Sequence, residues 1–278
     1  MSDRALDQKL DRMKEIIRSL KSVAVAFSAG VDSTFVLRVA IDCLGRENAV
    51  AVTSNSDSLA RAEFEETVDL TERLGAEHVV IETDEFENPD YLANPADRCY
   101  HCKTSLYEHL DRFIKERGLN AIINGINADD LGDWRPGIQA AGEHQVRAPA
   151  AEAGLTKEDI RILSKRMGLP TYDKPAAPCL SSRVQYGESI TPEKLRMIES
   201  CEAFLHRMGI RECRVRHHDN LARIEVPPEH IAVITAPQTR ARIDEHFRSV
   251  GYQYVVVDLR GFRSGSMNEV IAFGRHQR

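Results

Sequence analysis

The stretch Val23-Ala24-Val25-Ala26-Phe27-Ser28-Ala29-Gly30-Val31-Asp32-Ser33-Thr34 decides the fold. An apolar run of strand type enters a short loop of small residues, after which Phe35, Val36, Leu37 and Val39 continue at helical spacing. Small residues let a backbone approach a ligand closely, and the amides of a helix start point at whatever is anionic. The pattern predicts a phosphate cradle between a strand and a helix. It lacks the Gly-Lys-Ser/Thr ending of the common P-loop, so it is not built to hold a γ-phosphate for transfer.

Working outward, Leu6, Leu10, Met13, Ile16, Ile17 and Leu20 give an amphipathic helix before the cradle. Strand-like runs follow at 23–27, 49–53, 78–82 and 121–124, with helical stretches at about 32–44, 58–75 and 102–117 between them. Alternation at this interval predicts an α/β fold with a doubly wound, mostly parallel sheet. In such sheets ligands bind beyond the carboxyl ends of the strands, where the cradle, Thr53 and Gly125 all fall. A further helix at 156–167 closes this domain, taken as 1–172. Residues 173–278 begin in a proline-rich stretch and predict a smaller α+β domain. Its pattern reads helix (192–208), strands (212–217 and 221–226), helix (229–247) and strand (253–258).

Composition narrows the class. The chain has 278 residues and a net charge of −6, so no overall basic character points to nucleic acid. No run is apolar enough to span a bilayer, and Met1-Ser2-Asp3-Arg4 opens no signal-peptide core. A cytoplasmic protein is expected, with its six cysteines mostly reduced.

Several residues carry candidate chemistry. Asp32 and Ser33 sit at the cradle rim, where Asp32 is either a Mg²⁺ ligand or a carboxylate favoured by the helix dipole. Arg61 either reaches a nucleotide or is a plain surface arginine. Asp129, Asp130 and Asp133 either position a metal or hydroxyl or form a solvated acidic loop. Cys99 and Cys102 form a Cys-x-x-Cys, and Cys179, in the proline-flanked loop, is the natural third partner. Three thiolates leave one position open, which suits a cluster iron with an exchangeable ligand; a zinc site with His101 and unligated thiols are the alternatives. Cys43, Cys201 and Cys213 lie in elements and read as core thiols. Cys179 also reads as a nucleophile, with Arg183 near enough to favour its thiolate. Arg214 and Arg216 share a face of one strand, fit either to bind an anion or to pair with Glu225. Arg263 and Ser264, in a Gly/Ser-rich tail, add a second anion-binding pattern.

The loop resembles the Ser-x-Gly-x-Asp-Ser pyrophosphate loop of enzymes that cut ATP between the α- and β-phosphates. With it stand Cys179-Leu180-Ser181-Ser182-Arg183, Tyr186-Gly187, Ile190-Thr191-Pro192-Glu193-Lys194, Arg214-Val215-Arg216-His217, Ala222-Arg223-Ile224-Glu225 and Arg263-Ser264-Gly265-Ser266-Met267-Asn268. Together these resemble the LarE family of ATP-dependent sulfur transferases, almost end to end, with Ala29 in place of the commoner glycine. The resemblance implies ATP held by Phe27, Ser28, Ala29, Gly30, Asp32, Ser33, Thr53, Arg61 and Gly125, with Mg²⁺ on Asp32. It implies adenylation of a carboxylate of pyridinium-3,5-biscarboxylic acid mononucleotide, then conversion to a thiocarboxylate. Arg214, Arg216, Arg263 and Ser264 would hold that substrate's phosphate. In one form of the family the loop cysteine, here Cys179, gives up its own sulfur. In the other, three cysteines hold a [4Fe-4S] cluster bearing an extra sulfide; the presence of Cys99 and Cys102 favours this form. A homo-oligomer acting on a small nucleotide is implied. A cluster-dependent tRNA thiolase and a non-enzymatic nucleotide or iron–sulfur carrier are the rival readings.

Overall fold

The computed structural model describes residues 3–132, 136–263 and 265–268. In chain order the elements are α1 (Asp3–Leu20), β1 (Val23–Ala26), α2 (Val31–Leu44), β2 (Ala49–Asn55), α3 (Arg61–Leu74) and β3 (Glu77–Glu82). Next come α4 (Pro89–Leu92), α5 (Arg98–Arg117), β4 (Ala121–Ile123), α6 (Pro136–Glu143), α7 (Pro149–Glu152) and α8 (Lys157–Arg166). They are followed by α9 (Pro192–Arg207), β5 (Arg214–His218), β6 (Leu221–Glu225), α10 (Pro228–Thr235), α11 (Pro237–Val250) and β7 (Tyr254–Val257). The chain divides into two compact units, Met1–Glu85 with Asp97–Ala177, and Phe86–Ala96 with Pro178–Arg278. Among the described residues no helix is long and apolar enough to cross a membrane.

In the first unit the strands lie in the order β3-β2-β1-β4, all parallel. Alternation along β1 sends Val23 and Val25 into a core with α1, α2 and α8, and Ala24 into a second core with α5 and α6. A strand covered on both faces needs no polar positions, which explains the unbroken apolar run. The chain leaves β1 toward β2 on one side and returns to β4 on the other. The strand order therefore reverses between β1 and β4, and a crevice opens beyond their carboxyl ends.

In the second unit β5 and β6 pair antiparallel and β7 joins β6 in parallel. Its core packs α9, α10 and α11 around Val215, Ala222 and Ile224. Pro192 opens α9 and Thr191 caps it, accepting from the Lys194 amide at 3.3 Å. The single helix expected at 229–247 is two helices, because Pro237 donates no amide and holds Ala236 extended (φ −57, ψ 142). The segment Phe86–Ala96 also belongs here, although the contiguous division at 172 assigns it to the first domain. Tyr91 and Asn94 are buried in it. The Tyr91 hydroxyl lies 2.7 Å from Ser181 Oγ, and the Asn94 amide donates to the carbonyls of Gln185 (2.8 Å) and Glu188 (3.1 Å).

Candidate active site

The first unit's site forms at the reversal of strand order. Ser28 Oγ and its amide both meet Ser33 Oγ, at 3.2 and 3.3 Å, closing the loop on the first turn of α2. Gly30 is the N-cap and offers no side chain, so the amides of that turn are left to an incoming anion. Ala29, fully buried, stands at φ 53. For a residue with a Cβ this left-handed conformation costs about 1–2 kcal/mol, comparable with one charge-assisted hydrogen bond. Such a bond is present: Lys174 Nζ reaches the Ala29 carbonyl at 3.3 Å.

The loop after β4 lies against the same turn. A Cβ on Gly125 would stand 2.8 Å from the Ser33 amide nitrogen and 3.1 Å from backbone and Cβ atoms of Asp32. Those are backbone neighbours that cannot swing away, so glycine is what lets the two loops close into one cradle. Gly125→Ala is expected to cost about 1–3 kcal/mol by overpacking and, at the ATP site that the pyrophosphate-loop resemblance implies, to weaken ATP about tenfold or more. Calorimetric titration with ATP, beside a thermal melt, checks both.

Asp32 projects from the second residue of α2. One carboxylate oxygen is bonded to the Lys157 ammonium and the other lies 3.5 Å from Asn127 Nδ2. Lys157 escapes sequence reasoning, although its signal exists: the reciprocal Thr156–Asp159 capping box makes it the first residue of α8. A carboxylate at the cradle rim has the chemistry to take Mg²⁺, in competition with the Lys157 ammonium that now holds it. Asp129 and Asp130 accept the amides of Lys157 and Asn127 and so shape their loop; Asp133 lies outside the described residues. Thr53 is buried, bonding the Phe27 carbonyl at 3.1 Å and facing His78 Nε2 at 2.9 Å, so its hydroxyl ties β2 to the end of β1. Burial also holds the His78 pKa below its ordinary value. Arg61 is largely exposed at the start of α3, with Nε on Glu65 at 2.9 Å.

The cysteines divide between the units. α5 starts at Arg98, earlier than the spacing predicts, so Cys99 and Cys102 stand three residues apart on one helix face, the first exposed and the second half-buried. Cys179 is exposed in the second unit and caps a short helical turn at Leu180–Arg183. Among the described residues no group of three His, Cys, Asp or Glu side chains is gathered to hold a metal. Cys201 and Cys213 are core thiols, and burial pushes Cys213 up to about 12.

Arg183 fixes the Cys179 turn. Its guanidinium grips both Glu202 oxygens at 3.0 Å and donates to the carbonyls of Pro178 and Cys179. Glu202 in turn accepts the Val215 amide at 2.9 Å. The cation thus buckles the cysteine turn to α9 and β5.

Arg216 pairs with Glu225, Nη2 to Oε2 at 2.8 Å, and also bonds Ser266 Oγ at 3.0 Å. This is the cross-strand alternative to anion binding. Arg223 reaches the same carboxylate at 3.2 Å and Arg263 approaches Asp258 at 3.5 Å. Arg214 lies 5.2 Å over the Phe262 ring; burial, then the like charge of Arg183, lowers its pKa. Ser264 lies outside the described residues. Arg183, Arg216, Arg223 and Arg263 are thus ion-paired within this unit, to Glu202, Glu225 and Asp258. Glu225 is fully buried and keeps Arg223 and Ser266 when Arg216 is removed, so Arg216→Ala is expected to cost about 1.5–3 kcal/mol, the scale of one lost charged hydrogen-bond partner. Urea unfolding measures this; unchanged stability would remove the structural role.

Burial also lowers the pKa of His217 and His218, although Glu188 opposes the shift in both. Unfolded, each takes its proton near pH ~6.5; folded, each takes it only at lower pH. Stability is therefore full above that value and falls as pH drops through the folded values. The urea midpoint should decline on acidification from neutrality, and a flat profile would show that these histidines protonate freely in the fold.

Strand, cradle and helix at the reversal point define an α/β nucleotide-binding domain of the PP-loop type. Residues 6–90 match the NAD synthase family. Over 256 residues the chain is 36% identical to the pyridinium-3,5-bisthiocarboxylic acid mononucleotide synthase of Lactiplantibacillus plantarum, covering 92% of each chain, and it belongs to that LarE family. It is also 44% identical over 266 residues to the uncharacterized protein slr1717 of Synechocystis, covering 96% of this chain and 99% of the relative. A more distant similarity, 26% over 254 residues, is to the uncharacterized protein MJ0830 of Methanocaldococcus jannaschii, covering 91% and 95%.

Proposed function

We propose that this chain is an ATP-dependent sulfur transferase that converts the carboxylates of pyridinium-3,5-biscarboxylic acid mononucleotide to thiocarboxylates. The observation that carries the reading is the cradle, where the uncapped start of α2, Asp32 at its rim and the close approach of Gly125 suit a pyrophosphate leaving group. Arg214, Arg216, Arg263 and Ser264 would hold the phosphate of the substrate nucleotide.

A substrate carboxylate oxygen attacks the α-phosphorus of ATP and pyrophosphate departs, leaving an acyl adenylate. The cradle amides stabilise charge on the leaving group; Asp32 would hold Mg²⁺, which would supply further neutralisation there. In the sacrificial form the Cys179 thiolate attacks the acyl carbon and AMP departs. Loss of the Cys179 α-proton then breaks the Cβ–Sγ bond, leaving dehydroalanine in the chain and the thiocarboxylate as product. Cys99, Cys102 and Cys179 are three thiols of the kind that hold iron, and a [4Fe-4S] cluster bound by them would supply an exchangeable sulfide in place of the cysteine's own sulfur. The presence of Cys99 and Cys102 favours that form. The reading is of a cytoplasmic homo-oligomer with no nucleic-acid or membrane partner.

The test is ATP–pyrophosphate exchange with purified protein. Exchange should require the pyridinium mononucleotide; exchange stimulated by tRNA instead, or no exchange under any condition, would sink the reading. An anaerobic iron and sulfide assay separates the two sulfur sources, with about four irons per chain expected for the cluster form.

A further inference from the structure

We propose that Lys174 is a positioning residue of the cradle, holding the Ala29–Gly30 peptide so that the Gly30 amide is presented to the nucleotide phosphates. This rests on the reading of the cradle as the ATP site. An ammonium has three protons to donate and no acceptor. Lys174 Nζ has three acceptors in reach: the Ala29 carbonyl at 3.3 Å, Glu63 Oε2 at 2.7 Å and Glu66 Oε2 at 2.6 Å. Its side chain is 14% exposed, so water screens these contacts little. Glu63 and Glu66 lie one turn apart on α3 and would repel each other without the shared cation.

The segment that carries Lys174 is itself held. Arg161, on α8, donates to the carbonyls of Tyr172 at 2.7 Å and Lys174 at 2.8 Å. The lysine is therefore fixed at its backbone by one cation and at its tip by two carboxylates, and its remaining proton is aimed at the one left-handed residue of the cradle. A trans peptide is planar, with carbonyl and amide pointing to opposite sides. Anchoring the Ala29 oxygen turns the Gly30 amide away from Lys174. It also opposes the tendency of an alanine to leave the left-handed region, a tendency glycine lacks.

That last difference supplies the test. ATP binding is titrated calorimetrically on the full chain in four forms: wild type, Lys174→Met, Ala29→Gly and the double variant. Lys174→Met is expected to weaken ATP about tenfold in the presence of Ala29, and markedly less in the Ala29→Gly background, giving a non-additive cycle. A lysine that only stabilises the fold would lower the thermal midpoint equally in both backgrounds without this coupling. Equal losses in both backgrounds, or no loss, overturn the proposal. If Lys174→Met does not fold, Lys174→Gln, a neutral donor, takes its place in the same cycle. A wild-type chain that does not bind ATP overturns the cradle reading together with this one, whereas ATP binding without coupling overturns this one alone.

Discussion

Asp32→Ala is expected to lower ATP–pyrophosphate exchange by about 100-fold or more, the scale set by removing one group that stabilises charge developing in a transition state. The thermal midpoint should barely move. The Asp32–Lys157 pair is partly exposed, with side chains 23% and 37% accessible, and such pairs contribute about 1 kcal/mol or less. Asp32→Asn sharpens the result, because it keeps the shape of the side chain and removes the charge. If the carboxylate serves as a metal ligand, both variants lose exchange and excess Mg²⁺ restores the asparagine form in part. Normal pyrophosphate formation in Asp32→Ala would refute any role for this carboxylate in the chemistry, leaving it as a partner for Lys157 and the helix dipole.

Cys179→Ala should separate the two halves of the reaction. The thiol is exposed and the Arg183 bond goes to the backbone carbonyl of Cys179, so the alanine form keeps the turn and loses little stability. Adenylation, which the proposed function assigns to the other unit's cradle, should continue at close to the wild-type rate. Thiocarboxylate formation should vanish, whether the sulfur comes from Cys179 itself or from a cluster that needs it as a ligand. Mass spectrometry of the nucleotide product reads this directly, and any thiocarboxylate would remove Cys179 from the mechanism. Cys99→Ala then discriminates between the sources: it abolishes transfer only where iron is involved, and leaves a sacrificial Cys179 active.

The parallel sheet was legible because β1 and β2 are buried on both faces and therefore carry unbroken apolar runs. The cradle was legible because small residues between a strand and a helix have few other uses. What surrounds the cradle was less so. Lys157 is a single lysine in a polar stretch and Lys174 a single lysine in a proline-rich one, and neither pattern marks a site; only three-dimensional proximity makes one the partner of Asp32 and the other of Ala29. The positive φ falls on Ala29 rather than on Gly30, which stands at φ −76. Residue type alone would have placed it on the glycine. Arg216 shows the opposite limit. Its strand register was readable, but the choice between substrate anion and Glu225 depended on a carboxylate that the fold buries completely. Pro237, by contrast, was visible in the sequence and should have ended the helix there.

The short segment Phe86–Ala96 makes the second unit discontinuous in the chain, and this bears on how the protein is made. During synthesis the segment emerges first, and its partners Ser181, Gln185 and Glu188 follow only after residues 97–177 have been translated. At ribosomal speeds of about 5–20 residues per second, Tyr91 and Asn94 wait for seconds before anything can bury them. The same discontinuity rules out a simple genetic cut: a gene ending at Ala177 leaves a stranded tyrosine and asparagine, and one starting at Pro178 lacks the piece that satisfies its own carbonyls. A stand-alone second unit would have to be built by fusing 86–96 through a new linker, with the order of its pieces chosen by the designer rather than inherited.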